Sequence, residues 1–480
     1  MAVAAGEDFT IAVGKHGEVF SWGDGKYGRL GIGDQSSNDI PTHDPTRITS
    51  IGKPVRQVAA GTKHTGFVTD DGDLFMCGGN LYGELGLVVG ASYKTPVLVE
   101  RVSFAGQPVA MVACGDGSTA VVTEGGGLYT FGLNSSGQLG HEHAPVIKTP
   151  TQVPALASVK IAMAAVGRQH IVALSKHGRV YTWGSGEAGQ LGIGEDRNVL
   201  QPRVKPHKID SKLFSSVEHA SKHRDRVVFV AAGDAHTVAV TAQKRLYTWG
   251  DGYYGATGQG SNRNTFVPTL VGGDAFEQQP VVSAACGRSH TLVVAENGSL
   301  WTAGYNILGG LGLGDDKNKF VFHMVSTSQR FLQNSIATEM YDQAFGGKRV
   351  VAAAGGSTHS MVVTEDGKLW GFGSSARFEL GHGLRYYPSE TMGPFFKIPL
   401  RITNKMFRGV RIGRFLSRLF ATDDLALAFA MGLNARLGAE SAVSGLNDDV
   451  MRAIVDMSNA AKPWRASDAE GLRRLLGFVV

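Results

Sequence analysis

From Val58 to Gly79 the chain reads VAAGTKHTGFVTDDGDLFMCGG, two apolar runs parted by a turn at Asp71-Gly72. Short apolar runs bounded by glycine and aspartate predict short strands, and a tight turn between them predicts a hairpin. The pattern recurs along the chain. A glycine anchors each copy, at Gly6, Gly61, Gly115, Gly167, Gly233, Gly287 and Gly356. Seventeen residues on stands a second glycine, and eight further a third, in all seven copies. The distance between copies runs from 52 to 69 residues, so length varies only after the third glycine. A turn glycine recurs at Gly17, Gly72, Gly126, Gly178, Gly298 and Gly367, with Lys244 in the fifth copy. That pattern suits a turn needing positive φ, which glycine adopts without steric cost. An aromatic-Gly step ends the second strand of the hairpin at Trp22, Phe131, Trp183, Trp249 and Phe372. A Gly-x-Leu-Gly type of corner follows, as at Gly28–Gly31 and Gly189–Gly192, and each copy typically closes with a Pro-x-x-Val strand such as Pro150 to Val153.

About four short strands in each of seven copies predict an all-β fold, a seven-bladed β-propeller of four-stranded blades. A linear stack of repeats needs polar caps. The first copy begins at residue 3 with no capping sequence, and closure into a ring protects the edges instead. Composition agrees. Glycine is 65 of 480 residues and proline 16, against a usual glycine share of roughly 7 %. With 42 % hydrophobic and 19 % charged residues, the chain can bury a large core, so disorder is excluded for most of it. Cys77, Cys114 and Cys286 lie far apart with no CxxC pair, which argues against a disulfide framework or a cysteine zinc cluster and favours a reducing, intracellular setting. No secretory signal and no run of about 18 apolar residues is visible, so no membrane span is expected. The net charge of +5 does not by itself point to nucleic acid.

The repeat, VAAGxxHTxxVTxDGxLYTWGxGxxGQLG in outline, resembles the regulator-of-chromosome-condensation repeat, over residues 2 to about 402. The resemblance implies a seven-bladed propeller. Its family includes a guanine-nucleotide exchange factor for a Ran-type small GTPase, in which a wedge hairpin interrupts one blade between the Trp-Gly step and the Leu-Gly corner. Here that interval is eight residues in every copy, which disfavours exchange activity. Chromatin-binding members use a basic N-terminal tail, which this sequence lacks. Ultraviolet-sensing members carry Gly-Trp-Arg-His-Thr. The residue after the anchor is Glu7, Thr62, Asp116, Arg168, Asp234, Arg288 or Ser357, never tryptophan, so photoreception is not expected.

Gly23–Gly28, Gly184–Gly189 and Gly250–Gly255 match GxGxxG. A dinucleotide site needs that loop to open a helix, whereas here another glycine corner follows, so the reading is a turn. No GxxxxGK[ST] loop occurs, which disfavours an NTPase. A histidine three residues after the anchor, at His64, His170, His236, His290 and His359, with Phe9 and Ser118 in the other two copies, reads as structural. An equivalent group in each blade is what packing requires, and phenylalanine can replace it. His207, His219 and His223 lack a further ligand, so no metal and no cofactor is expected. Nothing resembles a catalytic triad or a GxSxG elbow, and the chain is read as not an enzyme.

Three segments do not repeat, and individual function should sit there. The fourth copy is extended over about 205–228, with Lys208 and Lys212, and the sixth over about 315–349. Both leave from the same point of the repeat and should emerge on one face of the disc. The third segment is a C-terminal extension over 403–480. Lys405, Arg408, Arg411, Arg414 and Arg418 form a basic stretch that suits an acidic protein surface, acidic lipid or, less so, nucleic acid through 397–418, and the interleaved Phe415 favours protein. Beyond it the period becomes helical, with Asp423-Asp424 and Asp448-Asp449 at helix starts and a Ser467-x-x-Glu470 capping box. LNDDVMRAIVDM faintly resembles the start of an F-box.

The reading is a propeller over 1–402 with a small α-helical C-terminal extension, a protein–protein interaction scaffold in a larger intracellular complex. The basic segment and the two insertions are its binding surfaces. A regulator of a Ran-type GTPase and a ubiquitin-ligase substrate adaptor are the alternatives. Partner identity and the choice among cytoplasm, cytoskeleton and nucleus stay open.

Overall fold

A computed structural model describes residues 1–33, 41–87, 90, 92–142, 144–194, 202–214, 225–326, 344–381 and 396–397. The chain divides into Met1–Leu400 and Arg401–Val480, and all described residues belong to the first unit. Seven antiparallel sheets of four strands each form the blades of a propeller, and every sheet is built from four consecutive strands. Blade one comprises Ala2–Ala5, Phe9–Val13, Val19–Gly23 and Thr42–Ile48, and blade seven Val350–Gly355, His359–Thr364, Leu369–Gly373 and Phe396–Lys397. Each sequence copy is therefore one blade, and no strand is exchanged to close the ring. The first apolar run of each copy is in fact two strands, such as Val55–Ala60 and His64–Thr69, hinged at the anchor glycine.

The strands grade outward in character. Second strands such as His64–Thr69 and His170–Ser175 are buried along their whole length, because both of their faces meet neighbouring blades, so they read as continuous apolar runs rather than alternating ones. Fourth strands face outward, and five of them carry a proline at one register position, at Pro45, Pro96, Pro150, Pro206 and Pro268. Proline has no N–H to offer, so the outer edge is blunted against strand pairing. Core clusters straddle neighbouring blades. Val68, Leu74 and Met76 of blade two pack with Val109, Val112 and Phe131 of blade three.

The anchor glycine follows from close approach. A Cβ on Gly61 would lie 2.5 Å from the Gly115 carbonyl oxygen, and one on Gly167 or Gly233 equally close to the anchor carbonyl of the next blade. The first strands thus crowd round an axial channel that admits no side chain at these positions. Blade seven meets blade one directly. The Thr10 hydroxyl lies 3.1 Å from His359 Nε2 and donates to the Glu379 carbonyl at 2.8 Å, and Trp22 Nε1 donates to the same carbonyl at 2.8 Å.

Strand direction gives the disc two faces. One holds the turns between second and third strands and the connections between blades, since Val55 N–H donates to the Gly17 carbonyl and Ile161 N–H to Gly126; this is the turn face. The other, the loop face, holds the anchor glycines and the loops between third and fourth strands. Both long connections open on the turn face. The regular blade reaches further into them than their unrepeated sequence suggests. Arg203–Lys208 and Lys319–Met324 are fourth strands; a one-turn 3-10 helix follows the first at Ser211–Phe214, and a tight turn with Phe345 and Gly346 in the left-handed region lies at Ala344–Gly347 before blade seven. The distance from corner to fourth strand varies between copies, which hid these strands from a search at fixed spacing. Lys405, Arg408, Arg411, Arg414, Phe415 and Arg418, the expected helices, the F-box-like stretch, His219 and His223 lie outside the described residues.

Candidate functional site

On the loop face the residues after the anchor glycines ring the mouth of the axial channel, a space of about 160 Å³ bounded by Glu7, Thr62, Asp116, Arg168, Asp234, Arg288 and Ser357 with the glycines themselves. Their backbones are stitched from blade to blade. Thr62 N–H donates to the Gly115 carbonyl, Arg168 to Asp234, Asp234 to Arg288 and Arg288 to Gly356, at 3.0–3.2 Å. The side chains alternate in charge over four successive blades. Arg168 Nε lies 3.4 Å from Asp116, and Arg288 Nε lies 3.2 Å from Asp234. Both guanidiniums remain about half exposed. Burial pushes the Asp234 carboxyl up to about 6, against the opposing pull of Arg288 and Arg168. Glu7 is also raised, by burial and then by its neighbour Asp8.

Blade one builds its share differently. Arg29 stands in the corner position where blades three and four have Gln138 and Gln190, and its guanidinium is buried. Its Nε donates to the Asp24 carbonyl and its Nη1 to the Thr62 carbonyl, both at 2.7 Å, while Asp24, Glu7 and Asp8 lie within 3.2–3.9 Å. The cation sits 5.1 Å above the Phe9 ring, the ring that replaces a histidine here.

Around this centre stand the tips of the loops between third and fourth strands. Leu81 is 68 % exposed, Tyr253 63 %, Ile307 51 % and Tyr27 47 %. Tyr253, Tyr254 and Tyr305 form an edge-to-face row with centroids 4.8 and 5.0 Å apart, and Lys63 Nζ lies over Tyr27 at 5.4 Å. Blades three, four and seven present Ser135, Glu187 and Arg377 instead. Among the described residues the apolar tips therefore form two arcs, on blades one and two and on blades five and six.

The histidines do not converge on one another. Each reaches the hydroxyl of the next blade: His64 to Thr119, His170 to Thr237, His236 to Thr291, His290 to Ser360 and His359 to Thr10, at 2.8–3.1 Å. Each hydroxyl spends its one proton on a backbone carbonyl, as Thr119 does on Glu84 and Thr237 on Gln190. The imidazole Nε2 must then be the donor, which fixes the tautomer. Burial holds these rings at about 3 to 4, so they are neutral at physiological pH. Among the described residues no group of three or more His, Cys, Asp or Glu is arranged to hold a metal. The GxGxxG loop of blade one runs into a corner, with Gly28 N–H donating to Gly25 and Gly31 N–H to Gly28. Burial raises the thiols of Cys77, Cys114 and Cys286 above their ordinary value.

Lys208 and Lys212 are exposed, but on the outer strand and the turn face, away from the mouth. The charged ring escaped sequence reasoning, which asked of those seven positions only whether they held tryptophan. Read in blade order, with five of seven positions charged, they carried the signal.

Fold and site together define a seven-bladed propeller whose blades are single copies of one repeat. Residues 91–414 match the RCC1-like domain, and residues 16–68, 2–29 and 55–84 match the regulator of chromosome condensation (RCC1) repeat. The chain belongs to the RCC1-like domain family. It is similar to the human E3 ubiquitin-protein ligase HERC2, 27 % identical over 78 % of this chain and 7 % of that protein. The Arabidopsis thaliana ultraviolet-B receptor UVR8 is 33 % identical over 66 % of this chain and 68 % of its own length. A Bos taurus secretion-regulating guanine nucleotide exchange factor is 29 % identical over 61 % of each. Human WBSCR16 shares the fold, with a TM-score of 0.62 and 23 % identity over 75 % of this chain and 85 % of the other. This chain therefore spans only a small part of HERC2 and about two thirds of UVR8. Among the described residues no helix is long and apolar enough to cross a membrane.

Proposed function

We propose that this chain is a non-enzymatic scaffold that mediates protein–protein contacts within a larger intracellular assembly. The observation that carries the reading is the loop face, where charged side chains round the axial mouth stand between two arcs of exposed aromatic and aliphatic tips. Half-exposed rings and guanidiniums are the residue types enriched at protein interfaces. The five histidines of the repeat are buried and spent on holding blades together, so none of these five serves as a general base. The turn-face lysines Lys208 and Lys212 and the basic segment at 397–418 offer further protein-binding surface.

Affinity purification of the full chain, beside Glu7→Lys/Asp116→Lys and a chain ending at Ile402, tests this. A stoichiometric partner set that survives a high-salt wash, and is lost from one of the two variants, supports the scaffold. Retention of no partner by any version overturns it.

A second reading has one observation in its favour, the likeness to a relative named as a guanine nucleotide exchange factor. A regulator of a Ran-type GTPase would speed release of a fluorescent guanine nucleotide from that GTPase. The constant eight-residue interval between the second and third glycines leaves no room for a wedge in that stretch, so no acceleration is expected. A substrate adaptor for a ubiquitin ligase is tested by loss of a cullin-linking partner on deleting residues 446–457.

A further inference from the structure

The axial mouth carries one carboxylate more than it has guanidiniums. Asp116 faces Arg168 and Asp234 faces Arg288. The remaining carboxylate, Glu7, has Arg29 at 3.8 Å, but that cation lies closer to Asp24 and is bonded to two backbone carbonyls. The apolar tips are placed with equal asymmetry. Tyr253 and Ile307 stand on the blades that supply Asp234 and Arg288, while Tyr27 and Leu81 stand on blades one and two, across the ring. A partner segment crossing this face would meet apolar surface, then a mouth short of one positive charge, then apolar surface again.

We infer that the loop face receives a protein segment in which one lysine or arginine, inserted at the axial mouth among Glu7, Asp116 and Asp234, lies between apolar side chains that pack on the Tyr253–Ile307 and Tyr27–Leu81 arcs. The inference rests on the scaffold reading and names the chemistry of its partner. One added cation makes the ring neutral, and half-buried carboxylates gain more from a partner charge than exposed ones do, because water screens them less. An arginine would also stack on the tyrosines. Acidity enters through Asp234, which sits at about 6 and is faced by Arg288, Arg168, Asp116 and Glu7. Protonating it removes a carboxylate from the mouth, so affinity for a cationic segment falls as pH drops through that value.

The test uses a random peptide library displayed on phage, selected against the full chain at neutral pH. Recovered peptides should carry a lysine or arginine between apolar residues. One of them, synthesised, should bind about tenfold more weakly to Asp116→Asn/Asp234→Asn, with the thermal midpoint of that variant unchanged. It should also weaken severalfold on Tyr253→Ser. Replacing the peptide's basic residue by norleucine should cost the same tenfold, and the protein variant should then add nothing, the signature of a direct contact. Recovery of no peptide, of acidic peptides, or of peptides indifferent to the mouth variant overturns the inference. If binding is indifferent to the mouth but lost in Lys208→Glu/Lys212→Glu, this inference fails while the scaffold reading stands.

Discussion

The seam that closes the ring, blade seven on blade one, and the seam between blades three and four solve one packing problem with opposite chemistry. At the closing seam the His359 imidazole, the Thr10 hydroxyl, the Glu379 carbonyl and the Trp22 N–H form one connected network. At the other seam Ser118 stands for the histidine and Ile171 for the threonine. There Ser118 Oγ, Gln138 Nε2 and Trp183 Nε1 are buried without a hydrogen-bond partner. Apolar atoms take their place. Val166 stands over Gly115, its Cγ1 2.5 Å from where a Cβ would lie, and Ile171 joins Ala120, Val166 and Trp183 in one buried cluster. The members of such a network are worth keeping only together. Once histidine and hydroxyl are both gone, the seam survives as ordinary hydrophobic packing. The chain that closes the ring across 349 residues retains the directional version.

The largest expected effect separates these seams by acidity. Five imidazoles are held neutral at about 3 to 4 in the folded protein, against about 6.5 in an unfolded chain. Between those values the unfolded state binds more protons, so stability is intact above about pH 6.5 and is lost as pH falls toward 3. At pH 5 each histidine should cost about 2 kcal/mol. The five together are comparable with the whole stability of a domain. The raised carboxyls of Glu84, Glu379 and Asp234 run the other way and blunt the loss. Urea unfolding followed from pH 7 to pH 5 should show a steep fall, made shallower by His359→Ala and left unchanged by Ser118→Ala, since only the first of these seams holds an imidazole. A flat profile would sink the account of neutral imidazoles.

The same contrast can be drawn at single residues. His359→Ala removes a buried ring and a donor to Thr10, and should destabilise by about 3 kcal/mol. Ser118→Ala removes a hydroxyl that bonds to nothing and should change stability by less than about 0.5 kcal/mol. Equal losses in denaturant unfolding would mean that the two seams do not differ in kind.

The difference between seams also shows what a single sequence can disclose. The propeller, its seven blades and its four strands per blade were legible because the glycine spacings come from backbone contacts that every blade must make. Phe9 was legible as a packing replacement, but its partner Arg29 was not, since the ring and the cation meet only in the folded corner. The exchange of Ser118, Ile171 and Val166 was hidden for the same reason: residues 48 to 53 apart by sequence number compensate across a blade boundary. The fourth strands at Arg203–Lys208 and Lys319–Met324 escaped because no fixed spacing leads to them. The mouth charges escaped because a repeat search rewards positions that stay the same, and these differ from blade to blade.

A subtler pair of substitutions isolates the tryptophan N–H. Trp22→Phe gives up the bond to the Glu379 carbonyl, whereas Trp183→Phe removes an N–H that has no acceptor. The packing loss is common to both, so Trp22→Phe should be the more destabilising by about 1 kcal/mol, the net worth of one such bond. Denaturant midpoints at equal m-values would measure it, and an equal cost at both sites would refute the assignment.

The smallest effect concerns the hairpin turns. Blade five has Lys244 at φ +60° where blade four has Gly178 at +75°. A side chain in the left-handed region is strained by about 1 kcal/mol, and the pairing of Lys244 with Glu296 is an exposed one that offsets little of it. Lys244→Gly should therefore stabilise the protein by about 0.5 kcal/mol, because glycine's looser unfolded chain takes back part of the gain. Gly178→Ala should do the reverse and by more, since its Cβ would lie 2.8 Å from that of Arg226 and 3.0 Å from the Val227 carbonyl. Thermal midpoints that move the same way in both variants would show that turn conformation is not what distinguishes these two blades.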